Sequence, residues 1–150
     1  MPKFVFTLAT VLRVREADRD QRRSELADSQ QMIEQLEDRR QALRDERTTL
    51  DREFRSSIAP GSLNADALRS AATYAASLIL QVGAVEEEIA AAALRIEERR
   101  EALLAADRDV RCLEKLREAH YARYLGRERS IQASLLDEVG SCVAKGTNLA

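Results

Sequence analysis

Aromatic residues are scarce in this chain, with three Phe, three Tyr and no Trp among 150 residues. Aromatic side chains supply much of the buried area of a compact core, so six of them cannot anchor a large one. Glycine and proline number only five and two. Chain reversals consume these residues, so few turns are available and a many-stranded or many-helix fold is excluded. The two cysteines, Cys112 and Cys142, are too few and too late for a disulfide framework. Neither has a His or Cys partner at metal-ligand spacing, and both read as free thiols. No apolar run approaches the roughly 18 residues of a spanning helix. The start MPKFVFTLATVLRVRE also lacks the apolar stretch and cleavage site of a secretory signal, so a cytoplasmic protein is expected.

Material for an active site is equally thin. His120 is the only histidine, which leaves neither a zinc set nor a Cys-His pair. Gly-rich phosphate loops, nucleophile elbows and paired metalloprotease histidines are missing. Carboxylates such as Glu34, Glu37 and Asp38, or Glu86, Glu87 and Glu88, alternate with arginines as a solvated helix face does. The chain is therefore expected to be no enzyme, with no catalytic residue, metal or cofactor.

What the sequence does hold is charge and helix-forming apolar residues. Lys and Arg total 24 against 26 acidic residues, a net charge of −2, which gives no global attraction to nucleic acid or an anionic membrane. Mixed i,i+4 neighbours such as Asp18–Arg22 and Asp51–Arg55 suit an exposed helix surface. The stretch from Arg111 to Arg129 departs from this balance, with six basic and three acidic residues around His120, Tyr121 and Tyr124. Without a recognition module this patch fits a protein partner better than nucleic acid.

One strong break, Ser56-Ser57-Ile58-Ala59-Pro60-Gly61-Ser62-Leu63-Asn64, holds Pro60-Gly61, which marks a reversal, with Ser62 or Asn64 placed to cap a new helix. The rest predicts two long helices of about 7–57 and about 65–138, a turn at about 58–64 and a flexible tail at 140–150. Steps of three and four from Leu68 run through Ala71, Ala75, Leu78, Val82, Val85, Ile89, Ala92, Ile96, Arg99, Leu103, Ala106, Val110 and Leu113. All but Arg99 are apolar, which is the stripe of a coiled coil. A weaker stripe in the first helix passes Leu26, Ser29, Ile33, Leu36, Arg40, Leu43, Arg47, Leu50, Phe54 and Ser57, and extends towards the N-terminus through Val5, Leu8 and Leu12. Seam arginines can bury their stems and keep the guanidinium wet in a two-helix structure.

The expected fold is all-α, with two long helices forming an antiparallel coiled-coil hairpin over 1–139. If the reversal centres near residues 62 and 63, facing positions add to about 125, so Leu43 meets Val82 and Leu12 meets Leu113. Phe4 and Phe6 then gather with Tyr121 and Tyr124 at the open end, while Phe54 and Tyr74 lie near the tip. The aromatics at the ends either hold partners or plug the ends of the coil.

The opening FVFTLATVLRVRE, residues 4–16, resembles the N-terminus of the FliJ family, the coiled-coil stalk and chaperone of the flagellar type III export apparatus. The late run VRCLEKLREAHYARY, residues 110–124, is similar to the end of that family's second helix. The resemblance implies a cytoplasmic protein, peripheral at the flagellar basal body and reaching the membrane only through protein partners. Those partners would be the hexameric export ATPase FliI, the export gate protein FlhA, the ATPase regulator FliH and export chaperones. Carried over residue by residue, an ATPase-binding surface falls on Phe4, Phe6, Leu8, Val11, Leu12, Arg13, Arg15 and Glu16, opposite Arg117, His120, Tyr121, Tyr124 and Arg127. A gate-binding face falls on Leu43, Arg47, Leu50, Phe54, Tyr74, Leu78, Gln81 and Val85, of which Leu43, Leu50, Leu78 and Val85 also lie on the predicted seam. The equivalent stalk of an injectisome secretion system and a generic coiled-coil scaffold or tether are the alternative readings.

Overall fold

The computed structural model describes residues 3–58 and 64–147. Two helices account for almost all of them: α1, Ala9–Ser57, and α2, Ala65–Thr147. They pack antiparallel against each other as an all-α hairpin, with no strand among the described residues. Ala59, Pro60, Gly61, Ser62 and Leu63, which hold most of the expected turn, lie outside the described residues.

Both helices start on local hydrogen bonds. Asn64, one of the two candidate caps, accepts from the Asp66 backbone N–H through Oδ1 at 3.1 Å, and its carbonyl receives the Leu68 N–H at 3.1 Å. Helix α1 begins at Ala9, two residues later than expected, because Thr7 and Leu8 form a turn in which the Phe6 carbonyl accepts from Ala9 at 3.1 Å. Helix α2 runs on to Thr147 where the sequence pattern places an end near 138, so the expected tail is helical to that point. Gly140 weakens a helix without breaking it, and no proline comes after it to stop the helix.

Contacts group the chain into two compact units, one of Met1–Asp20 with Ala105–Ala150 and one of Gln21–Leu104, where a single hairpin domain over 1–139 is expected from sequence. In the first unit Phe6, Leu12 and Val110 form the core, with Phe4, Leu8 and Leu113 packed around them. Val5, placed on the seam by sequence, is 78% exposed. The reason is that residues 3–6 are not helical, so successive side chains alternate and Val5 turns away while Phe4 and Phe6 turn in. Arg15 meets Asp109 at 3.5 Å across the pair.

In the second unit Leu43, Leu78 and Val85 are buried, flanked by Leu36, Leu50, Val82 and Ile89. Arg99, the one polar member of the second-helix stripe, is accommodated by α1. It donates to the Glu25 carbonyl at 2.7 Å and to the Ser29 hydroxyl, while Ser29 itself donates to the same carbonyl at 2.8 Å. Two polar seam positions thus satisfy each other, as partly buried groups must. The Arg44–Glu86 pair at 2.6 Å is exposed and contributes well under about 1 kcal/mol. Leu68, in the first turn of α2, is 41% exposed and borders an open groove with Phe54 and Ser57.

Candidate docking surfaces

The first unit carries an aromatic set built from two distant parts of the sequence. Phe4 sits edge-on to Tyr121, with ring centroids 5.2 Å apart at 71°, and lies 5.6 Å from Tyr124. Tyr121 and Tyr124 stack at 6.3 Å and 22°, and Phe6 meets the His120 ring edge-on at 5.7 Å. Edge-on geometries align the positive edge of one ring with the negative face of another. The i,i+3 spacing of Tyr121 and Tyr124 puts both on one side of α2, and the short segment before α1 lays Phe4 across them. Tyr121 stays 47% exposed, so the set offers an aromatic surface to solvent.

Shallow open grooves flank Phe4. One of about 490 Å³ is bordered by Lys3, Arg123, Arg127, Glu128, Tyr124 and Ile131, and another of about 480 Å³ by Lys3, Arg13, Glu16 and Arg117. Cations outnumber anions along both, whereas a third groove of about 540 Å³, beside Phe4 and Tyr121, carries Glu114 and Glu118 against Arg117. Of the residues assigned here by sequence, Phe6 and Leu12 are buried and hold the helix pair together. Phe4, Leu8, Glu16, His120 and Tyr124 are half-buried, and Val11, Arg13, Arg15, Arg117, Tyr121 and Arg127 are exposed. Sequence reasoning missed Lys3, Arg123, Glu128 and Ile131. The last three border the same groove as Tyr124, and nothing in their spacing alone marks them for it.

The second unit separates its assigned residues more sharply. Leu43, Leu78 and Val85 are buried, so they pack the helices instead of facing a partner. Leu50 and Phe54 are half-buried, while Arg47, Tyr74 and Gln81 are exposed. Tyr74 is 43% exposed and its hydroxyl donates to Glu46, a residue the sequence did not single out. Leu50 and Phe54 also line an open groove of about 390 Å³ with Glu53, Ser57, Ala67 and Leu68.

Among the described residues no cluster of His, Cys, Asp and Glu could hold a metal, and no buried side-chain polar atom lacks a partner. Cys112 and Cys142 are free and exposed. No helix among the described residues is long and apolar enough to cross a membrane.

The family described as flagellar FliJ protein matches residues 4–146. The chain belongs to the FliJ family. Its match begins at Phe4, the residue that joins the short N-terminal segment to Tyr121 and Tyr124, and takes in both helices. As a FliJ family member it is a coiled-coil protein of flagellar type III export. No curated protein and no solved structure matches it significantly.

Proposed function

We propose that this FliJ family member is the stalk and chaperone of the flagellar export apparatus, with no catalytic activity or cofactor of its own. Its first unit enters the ring of the hexameric export ATPase FliI and promotes ring assembly and hydrolysis. Its second unit presents a face to the export gate protein FlhA, through Arg47, Tyr74 and Gln81 on its exposed side. FliH and export chaperones are further partners, and the protein works in the cytoplasm, peripheral at the basal body.

The observation that carries this reading is the Phe4–Tyr121–Tyr124 set with its basic border. An exposed aromatic group with arginines along one flank, and with Glu114 and Glu118 beside Arg117 on the Tyr121 flank, has the aromatic and charged composition of an interface anchor. The surrounding exposed charges make contacts each worth under about 1 kcal/mol, which suits a reversible fit inside a ring. The test is ATP hydrolysis by the cognate ATPase with the full chain and with a chain that starts at Leu12. The full chain is expected to stimulate hydrolysis and the shortened one to lose most of that effect. No stimulation by the full chain, or equal stimulation by the shortened one, contradicts the proposal.

A further inference from the structure

We propose that the groove between residues 3–5 and the Arg123–Arg127 stretch of α2 binds an extended acidic peptide segment of a partner protein, laid alongside the N-terminal backbone. Two independent observations converge on this ligand, and the first is charge. Lys3, Arg123 and Arg127 border the groove, and among the described residues none of the three forms an ion pair. Glu128, half-buried, is the one carboxylate set against them. Arg123 and Arg127 are four residues apart on one helix face, where like charges repel, so the helix itself gains nothing from the pair. The whole chain carries a net charge of −2, which makes this excess of cations a local feature. Glu114 and Glu118 stand on the Tyr121 flank, where they repel an acidic ligand and confine it to the Arg123–Arg127 side.

The second observation is the backbone. Residues 3–6 are not helical, and among the described residues no backbone hydrogen bond engages Lys3, Phe4 or Val5. The Phe4 ring holds the segment against Tyr121 and Tyr124, so its N–H and carbonyl groups stay in place with pairing capacity to spare. An extended chain laid beside such a segment gains main-chain hydrogen bonds. Val5, 78% exposed, and Ile131, 54% exposed, supply apolar contacts among the cations. The ligand therefore carries carboxylates for Lys3, Arg123 and Arg127 and apolar side chains for Val5 and Ile131. Single-stranded nucleic acid fits less well, because the three rings pack on one another at 5.2 to 6.3 Å and leave no gap for a base to stack between them. This inference deepens the proposed role of the first unit and rests on that reading for the source of the peptide. Its test contains no ATPase. Loss of peptide binding with stimulation intact overturns this inference alone, and absent stimulation with peptide binding intact overturns that reading alone.

The test is fluorescence anisotropy of labelled synthetic peptides against the full chain at low salt. The probe is a peptide of about eight residues made of Glu, Asp, Leu and Val, long enough to span the extended segment. It is expected to bind with a Kd on the order of 100 µM or tighter, and the same peptide with Lys for every acidic residue should not bind. Arg123→Glu with Arg127→Glu should weaken binding at least about tenfold with unchanged helicity, since both side chains are exposed. Arg39→Glu with Arg69→Glu makes the same change of net charge at exposed positions of the second unit and should alter binding less than about twofold. Saturating peptide should also slow amide exchange over residues 4–7. No binding of the acidic peptide overturns the proposal, as does equal weakening by the two double variants or unchanged exchange over residues 4–7. Tighter binding of a labelled oligothymidylate, or of phosphatidylserine-containing vesicles, than of the acidic peptide overturns it too.

Discussion

Val110→Asp is expected to unpair the helices of the first unit. Val110 is fully buried against Phe6 and Leu12, with Leu8 and Leu113 at the edge of the same cluster. A carboxylate there loses its water, and Arg15 is already engaged by the neighbouring Asp109. An unpartnered buried charge of this kind costs about 3 kcal/mol or more. Amide hydrogen exchange read by mass spectrometry is the measurement, since it resolves local opening. Protection of peptides covering residues 9–20 and 105–120 should fall about a hundredfold, with the second-unit peptides around Leu43, Leu78 and Val85 as the reference. Protection equal to that of the parent would mean that Val110 does not hold this pair together.

Phe4→Ala is the second large effect, and it falls on function. Phe4 touches both tyrosines but is itself only half-buried, so its loss disorders an aromatic surface without removing the Phe6–Leu12–Val110 core. An interface anchor of this type contributes about 2 kcal/mol. The concentration giving half-maximal stimulation of the export ATPase should therefore rise at least about tenfold. Circular dichroism should be unchanged. A variant with parental stimulation would move the ATPase contact away from the aromatic set.

The fold is largely legible in the sequence because its main signal is periodic and continuous. Thirteen of the fourteen residues from Leu68 to Leu113 on the second-helix stripe are buried or half-buried, Leu68 being the exception. The register is legible too. Within the first unit Phe4–Tyr121 and Arg15–Asp109 lie within one of the expected sum of 125, and within the second Arg44–Glu86 and Tyr74–Glu46 lie within five. One break and two stripes leave a chain little choice of pairing.

Departures from the period are not legible. Val5 is misplaced because a helical step is carried into a segment that is not helical. The end of α2 falls too early because Gly140 reads as a stop when nothing shows whether the helix tolerates it. At the candidate sites, family likeness assigns Leu43, Leu78 and Val85 to a gate face and Phe6 and Leu12 to an ATPase face, yet all five are buried. A stripe says which residues face inward in the pair. It does not say which neighbours remain for a partner, and the Tyr74–Glu46 and Arg99–Ser29 contacts depend on side-chain reach that no spacing rule contains.

The two units serve different partners in the proposed function, with the aromatic first unit seated in the ATPase. The most direct test of this central claim is site-specific photocrosslinking, with a photoreactive phenylalanine in place of Tyr121 or of Tyr74, in cells assembling the export apparatus. Both positions are exposed to a similar degree, so reach alone does not favour either. The probe at 121 is expected to capture the ATPase, and the probe at 74 the gate protein. Capture of the ATPase from 74 and not from 121 would contradict the claim.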